Sequence, residues 1–156
     1  MTGEKLAKKT ADTLHAHLYQ IWPDVKFILI LNNLTTPHLF CITVHYSDGP
    51  HWNEVNKIVE QYVCPTKGIE KYFVYETFSY DIFVKAVQMA LIYFEEHGIY
   101  IQPESIIVSR EKYYFDNGGS FTIQTDDKDL RWTVGGKIKQ IAIDLVALKR
   151  KQSGKC

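Results

Sequence analysis

The sequence predicts an α+β fold, with a small mixed or antiparallel sheet and about four helices packed on it in a single domain. Four segments carry apolar residues three and four positions apart, which is the spacing of one helical face. Short β-prone runs lie between these segments, and turns rich in Gly, Pro and Asn separate them. At 156 residues the chain is long enough to bury about two thirds of its unfolded surface.

The first part of the chain predicts a helix followed by two strands. Leucines and alanines occupy one helical face of residues 5–19, and the Trp-Pro-Asp string at 22–24 ends that helix. Residues 26–31 and 39–45 are short β-branched and aliphatic runs, and the turn-rich residues 32–37 join them. In the second run apolar residues alternate with more polar ones, so we expect one buried face and one partly exposed face.

The Tyr-Ser-Asp-Gly-Pro string at residues 46–50 predicts a sharp turn into a second helix at residues 52–63. Asp48 can cap exposed helix amides, Gly49 allows backbone angles that a side chain would forbid, and Pro50 fits a first helical turn. These three residues are therefore predicted to form a structural turn and not a reactive centre.

The middle of the chain predicts a strand, a buried helix and a short core strand. Residues 71–80 are rich in aromatic residues, and neither face of this expected strand is plainly polar. Residues 81–97 are apolar almost all round, which predicts a helix buried against more than one neighbour. His97 and Gly98 end that helix, because glycine is common directly after a helix. The core strand is expected at residues 106–108.

A hairpin is predicted next. Asn117 and Gly118 lie between the β-prone residues 113–115 and 120–123, and this dipeptide favours a tight hairpin turn with positive φ at both positions. The acidic residues 126–129 follow, but they lack the glycine and the distal glutamate of a calcium loop. We expect a solvated turn there.

The last segments predict a strand and a helix. Residues 130–134 are expected to form a strand that ends at Gly135 and Gly136. Residues 137–150 have apolar residues at helical spacing, although some of them also alternate as in a strand. Their Ala, Leu, Lys and Gln content favours the helix.

Composition limits the classes of function. Lysine plus arginine equals aspartate plus glutamate at 18 each, so the whole chain lacks the basic excess typical of nucleic-acid-binding proteins. The stretch from residue 137 onward is locally basic, which is typical of a solvated helix end. Three widely separated cysteines indicate a reduced protein. No apolar run approaches the ~18 residues of a membrane span, so we expect a cytoplasmic protein without a membrane partner.

Several strings between residues 10 and 110 together resemble one family. They are Trp22-Pro23-Asp24-Val25-Lys26-Phe27, the strand that ends in Tyr46-Ser47-Asp48-Gly49-Pro50, the helix with Glu54-Val55 and Ile58-Val59, and Ile106-Ile107-Val108-Ser109-Arg110. This arrangement resembles the large polyvalent protein-associated domain that is number twenty-nine of its series. The chain departs from the family at residues 68–73, where Gly-Ile-Glu-Lys-Tyr-Phe stands in place of a Phe-Asp-Gly element.

The resemblance implies an accessory domain of phages or other mobile genetic elements, found in proteins that act in a new host beside nucleic acid and host defences. It transfers no catalytic residue to this chain. We expect residues 1–110 to form the core that resembles the family. Residues 111–156 are expected to complete the same domain with a hairpin, a strand and a basic C-terminal helix.

The sequence predicts no catalytic residue, no metal ligand and no cofactor. His45, Asp48 and His51 are close in sequence, but they flank a sharp turn and no third ligand lies at a recognised spacing. Capping and surface packing explain these residues better. His15 and His17 project from different helix faces, so they are not expected to bind a metal together. A small enzyme whose active groups come from distant residues stays an alternative.

The leading hypothesis is a non-enzymatic module that binds a host or element protein, or its nucleoprotein complex, because ten tyrosines and eight phenylalanines suit interface anchors. The second hypothesis is direct DNA or RNA binding, in which cations contact phosphates and exposed aromatic rings contact bases. The alternative for those rings is burial in the hairpin. The residues expected at a nucleic-acid or partner contact are Arg110, Lys112, Tyr113, Trp132, Lys137, Lys149, Arg150 and Lys151.

Overall fold

A computed structural model describes residues 3–34 and 39–154 of the chain. These residues form four α-helices and five strands in two sheets, and the predicted α+β class is confirmed. The chain divides into two compact units, residues 1–77 and residues 78–156. The predicted partition at residue 110 stays a prediction, and part of the predicted loop at 32–37 lies outside the described residues. None of the helices in the described ranges is both long and apolar enough to span a bilayer.

The first unit is a three-stranded mixed sheet with two helices. The strand order is β1-β2-β3, with β1 antiparallel to β2 and β2 parallel to β3. The second helix crosses over between the parallel strands, as a parallel connection requires. In chain order the elements are α1 Gly3–Ile21, β1 Phe27–Asn33, β2 Phe40–Ser47, α2 Trp52–Glu60 and β3 Ile69–Thr77.

The core of this unit lies on one face of the sheet. Ile42, Val44 and Tyr46 are alternate residues of β2 and are fully buried, because successive side chains of a strand point to opposite faces. The burial of one face that the alternation predicts is therefore confirmed. Cys41 is also buried, but it alternates with Ile42 and therefore lies on the opposite face of the strand. The helices add further fully buried residues to the same core, namely Leu14, Leu18, Val55 and Val59.

The connection from β2 to α2 differs from the prediction in its details. The N-cap of α2 is His51, whose Nδ1 accepts a hydrogen bond from the Asn53 N–H, so the expected capping by Asp48 is wrong. Positive φ occurs at Asp48 (52°) and not at Gly49. Gly49 is required for another reason, since a Cβ there would lie 2.7 Å from Cδ2 of the Tyr46 ring. Pro50 precedes the helix, and its carbonyl accepts a hydrogen bond from the Tyr46 hydroxyl at 2.9 Å.

The second unit contains a two-stranded antiparallel hairpin and two long helices. The helices pack on each other and on the hairpin through a continuous apolar core, which contains Phe83, Ala86, Ala90 and Phe94 from one helix and Val134, Ile138, Ala142 and Val146 from the other. In chain order the elements are α3 Tyr80–Glu96, β4 Ile106–Arg110, β5 Gly119–Ile123 and α4 Lys128–Gln152.

Helix α3 begins and ends close to the predicted positions. The Ser79 hydroxyl accepts a hydrogen bond from the Ile82 N–H and caps its first turn. Gly98 follows the helix with a φ of 77°, which explains why the helix ends there. The helix packs against α4 and against both strands of the hairpin, so the expected burial against more than one neighbour is confirmed, although Met89 and Ile92 are exposed.

The hairpin does not use the Asn117-Gly118 pair as a tight turn. β4 pairs directly with β5, from Ile106 opposite Ile123 to Arg110 opposite Gly119, and residues 111–118 form a longer connection. Tyr113 to Phe115 therefore do not form a strand, contrary to the prediction. Gly118 lacks positive φ and lies against the Glu111 backbone, with a hydrogen bond from the Glu111 N–H to the Gly118 oxygen.

Helix α4 is one continuous helix of 25 residues, so the strand predicted at residues 130–134 is wrong. The predicted helix at 137–150 is confirmed as its second half. The Asp127 carboxylate caps the helix by accepting a hydrogen bond from the Leu130 N–H at 3.1 Å. Gly135 and Gly136 each cost a helix interior about 1 kcal/mol relative to alanine. Burial of apolar residues on both sides of the glycine pair, from Val134 to Val146, offsets this cost.

Candidate functional site

A groove of about 870 Å³ lies in the second unit between β5 and α4. We call it the α4 groove. It combines aromatic, cationic and glycine residues from α4 with the strand residues that face them. Its lining consists of Phe83, Gly119, Ser120, Phe121, Thr122, Ile123, Lys128, Arg131, Trp132, Gly135, Gly136 and Lys139.

One face of α4 forms a wall of the groove. The lining residues of this helix are spaced at i, i+3, i+4, i+7, i+8 and i+11 from residue 128, which places them along a single helical stripe. At 1.5 Å per residue the stripe is about 16 Å long. In order they are Lys128, Arg131, Trp132, Gly135, Gly136 and Lys139.

Trp132 is the most accessible large hydrophobic residue in the described parts of the chain, with 85% of its surface exposed. The residues one turn further along the same stripe are Gly135 and Gly136. Because neither carries a side chain, the helix surface that follows Trp132 along the groove is bare. A tryptophan that is not packed on its own protein in this way is available to a ligand.

Three cationic side chains line the α4 groove. Lys128, Arg131 and Lys139 are all exposed, and none of the twelve lining residues is acidic. Arg131 Nη2 donates a hydrogen bond to the Thr125 carbonyl at 2.8 Å, which fixes the guanidinium beside the start of the helix. The acidic residues of the 126–129 segment lie at the helix N-terminus and outside the lining. Three cationic side chains are therefore gathered in one groove, although the formal net charge of the whole chain is zero.

The opposite wall is provided by β5. The Phe121 ring packs edge-on against Phe83 with a centroid distance of 5.3 Å, which anchors an apolar floor. Ser120 and Thr122 also line the groove and are exposed, but they alternate with Phe121, so their side chains project to the opposite face of the strand. The groove thus has an apolar floor from β5 and a cationic wall from α4.

The structure places only one of the sequence-predicted contact residues, Trp132, in this groove. The alternative that the aromatic residues fill a buried hairpin face is wrong, since Tyr113 is 79% exposed and Trp132 is more exposed still. Tyr113 lies in the connection after β4, as does Lys112. The Arg110 guanidinium stacks over the Tyr80 ring at 4.2 Å from its centroid.

The other predicted cations lie elsewhere on α4. Lys137 is on the opposite side of the helix from the groove, with its Nζ 3.8 Å from the centroid of the Tyr93 ring. Lys149, Arg150 and Lys151 form the last turn, about 15 Å or more beyond Lys139 by helical rise. Arg150 has only 8% of its surface exposed. The basic end of the chain is therefore separate from the α4 groove.

Sequence reasoning missed all three cations of the groove, Lys128, Arg131 and Lys139. Their spacing of three and eight residues is visible in the sequence, but it has meaning only if residues 128–139 form one helix. The capping signal at Asp127, followed by apolar residues at Leu130, Val134, Ile138 and Ile141, was available to indicate that helix.

The first unit has a second exposed feature, on the sheet face opposite its core. The His45 and Tyr75 rings stack across β2 and β3 with a centroid distance of 5.0 Å, and the Phe73 ring lies 6.2 Å from Tyr75. We call these three residues the aromatic row. Phe73 and Tyr75 are each 50% exposed, and partial burial lowers the pKa of His45.

The other titratable residues have structural roles or no shared site. His15 Nε2 is 3.1 Å from the Phe27 oxygen, and His17 Nδ1 is 2.8 Å from the Tyr62 hydroxyl, so these two histidines point to different partners. Glu76 Oε2 accepts a hydrogen bond from the Trp52 N–H, and burial raises the pKa of this carboxyl to about 7. Within residues 3–34 and 39–154, no three side chains of His, Cys, Asp or Glu are grouped to hold a metal ion.

Comparison with known proteins yields no relative from which a role can be transferred. No family model matches the chain, no curated protein matches it, and no solved structure matches it.

Proposed function

We propose that this protein binds nucleic acid through the α4 groove and acts by binding, not by catalysis. The observation that carries the proposal is the position of Trp132, which is almost fully exposed in a groove lined by three cations and by no acidic residue. Cations neutralise phosphates, and an exposed ring stacks on a base, so both parts of a nucleotide have a complementary group.

The dimensions of the groove fit a short stretch of a nucleic-acid strand. A stacked strand rises about 3.4 Å per nucleotide, so the stripe of about 16 Å on α4 corresponds to roughly five stacked nucleotides. Lys128 and Lys139 lie at the two ends of this stripe and Trp132 lies between them. Phosphate contacts at both ends would hold a base near the indole ring.

Fluorescence anisotropy with labelled DNA and RNA oligonucleotides tests the proposal. Base stacking on an aromatic ring contributes about 1–3 kcal/mol, so Trp132→Ala should weaken binding roughly five- to 150-fold. Tyr100→Ala is the matched control, because Tyr100 is a large exposed ring that does not line the groove. Equal affinities for the wild type and both variants would reject the proposal.

Charge variants separate the groove from the basic end of the chain. The triple variant K128Q/R131Q/K139Q should lose most of its affinity, whereas K149Q/K151Q should keep it. The reverse result would place the contact at the last turn of α4, as the sequence alone predicts.

A second candidate is a protein partner, and the aromatic row of the first unit favours it. Phe73 and Tyr75 are half exposed on an open sheet face, and large rigid rings of this kind are common interface anchors. The family resemblance suggests that such a partner belongs to a host or to a phage or mobile element, with host defence as one setting. The free thiols of Cys41 and Cys64 fit a reducing cytoplasm.

Affinity purification from the native cell distinguishes the two candidates. A protein that stays bound after nuclease treatment and is lost with F73S/Y75S supports the aromatic row as an interface. A protein that is lost after nuclease, and also with K128Q/R131Q/K139Q, indicates an indirect association through nucleic acid.

A further inference from the structure

We propose that the α4 groove receives unpaired bases and therefore selects single-stranded over double-stranded nucleic acid, with Gly135 and Gly136 keeping the surface beside Trp132 open for them. This inference rests on the proposed function and specifies the ligand of the same groove. Three observations on the described residues carry it: the packing around the two glycines, their position beside the indole ring, and the cations on either side.

Side-chain packing does not require glycine at position 135 or at position 136. A Cβ at Gly136 would meet no heavy atom within 4 Å, and a Cβ at Gly135 would meet Ile123 and Phe121 only at ordinary contact distances of 3.7 and 3.9 Å. Neither glycine has positive φ. Alanine would therefore fit both positions and would favour the helix.

Other glycines of the same unit show what a packing requirement looks like. A Cβ at Gly119 would lie 2.6 Å from the Tyr80 Cα, which is backbone that cannot move aside. Gly135 and Gly136 therefore lower the stability of α4, although no close backbone contact requires glycine at either position. Residues that lower stability without a gain in packing are concentrated at functional sites.

The position of the two glycines on α4 indicates their role in the groove. They lie three and four residues after Trp132, which is one turn further along the groove-lining stripe. A side chain at either position would project into the groove that Trp132 also lines, although its Cβ would lie more than 4 Å from the indole ring. Without one, a flat group as thick as a base can stack on the ring and approach the helix backbone.

Only an unpaired base can use this surface. In a duplex, both faces of each base are covered by its neighbours, so a protruding indole ring meets base edges and phosphates instead. In a single strand, a base is free to leave its neighbours and stack on an aromatic side chain. Lys128 lies four residues before Trp132 and Lys139 seven residues after it, so phosphates on both sides of the stacked base meet a cation.

The test compares Gly136→Leu with Gln140→Leu, which adds the same side chain one turn further along α4 at an exposed position outside the groove. The probes are oligo-dT and oligo-U of about 16 nucleotides, the upper end of common site sizes, and a mixed-sequence duplex of the same length. Wild-type protein should bind the single strands at least about tenfold more tightly than the duplex. Gly136→Leu should lose about tenfold in single-strand affinity, whereas Gln140→Leu should lose none.

Thermal unfolding of the same variants shows whether the loss is local. Gly136→Leu should unfold at the wild-type temperature or above it, because leucine favours a helix more than glycine does. If Gly136→Leu misfolds, the double variant G135A/G136A replaces it, with a raised unfolding temperature and a smaller loss of single-strand affinity expected.

The outcomes separate this inference from the function on which it rests. Wild-type protein that binds neither single strands nor duplex removes the proposed function. Binding that depends on Lys128, Arg131 and Lys139, but is equal for both probes or unaffected by Gly136→Leu, overturns the single-strand inference and leaves nucleic-acid binding in place. Equal binding of oligo-dT and oligo-U indicates that the groove does not distinguish DNA from RNA and supports recognition by stacking.

Discussion

The Glu76 carboxylate accepts a hydrogen bond from the backbone N–H of Trp52 at 3.1 Å, which joins the end of β3 to the first turn of α2. The Trp52 indole N–H donates to the Val74 carbonyl at 2.9 Å and forms a second link between the same elements. Glu76 thus serves as a capping acceptor for a helix whose N-cap is His51. This carboxylate is partly buried, which makes its protonation state important for the cap.

The first prediction concerns the pH dependence of the free energy of unfolding. Burial raises the pKa of Glu76 to about 7 from the ordinary value of 4.5. The folded protein therefore holds a proton between pH 4.5 and 7 that the unfolded chain has released, and its stability falls as the pH rises through this window. With allowance for solvent screening of a partly exposed group, the loss is about 2 kcal/mol.

Urea unfolding of Glu76→Gln tests this pH dependence of stability, because glutamine keeps an acceptor for the Trp52 N–H but does not titrate. The variant and the wild type should have similar free energies of unfolding near pH 4, and the variant should be the more stable one above pH 7. Glu70→Gln, an exposed position on the same strand, is the control and should follow the wild type. A difference between Glu76→Gln and wild type that does not change with pH would contradict the assignment.

The second prediction concerns the tight approach of Tyr46 to Gly49. Gly49→Ala places a methyl group 2.7 Å from the Tyr46 ring, which is fully buried and has no space to move. We expect a loss of about 1–3 kcal/mol in the free energy of unfolding, as for other overpacked sites. Gly136→Ala is the control, since a Cβ there meets nothing within 4 Å and should stabilise the protein. Similar effects at both glycines would show that the Tyr46 contact is unimportant.

The first three helices and first three strands could be predicted because local signals and tertiary packing agree in that part of the chain. The leucines of α1, including Leu14 and Leu18, lie on the helical face that the structure buries. In β2 the alternation of apolar residues matches the face that packs against the helices. The connection at residues 46–50 was predicted as a turn, but the contact of Gly49 with the Tyr46 ring depends on a ring position that no local pattern contains.

The strand at residues 130–134 was predicted wrongly because local propensity and tertiary packing disagree there. Gly135 and Gly136 indicate a break, yet the buried residues on both sides, such as Val134 and Ile138, pack against one partner helix and hold a single helix together. The same error concealed the α4 groove. Lys128, Arg131 and Lys139 belong to one face only when the whole segment is helical.

The third prediction tests the start of this helix. Asp127→Ala removes the acceptor for the Leu130 N–H and should lower the free energy of unfolding by about 1 kcal/mol. Asp127→Asn keeps a capping oxygen and should restore most of the stability. Denaturant unfolding measures both. Equal loss in the two variants would mean that the charge of Asp127, and not its hydrogen bond, stabilises the first turn.

The fourth prediction concerns the salt dependence of nucleic-acid binding. If Lys128 and Lys139 each contact one phosphate, replacing either by glutamine should reduce the slope of log K against log salt by about 0.7 for a single strand. Lys149→Gln, on the same helix but outside the groove, should leave the slope unchanged. Trp132→Ala should weaken binding at every salt concentration with little change in slope, because stacking releases no counterion. If Trp132→Ala changes the slope and the two groove-lysine variants do not, the roles proposed here for all three residues are wrong.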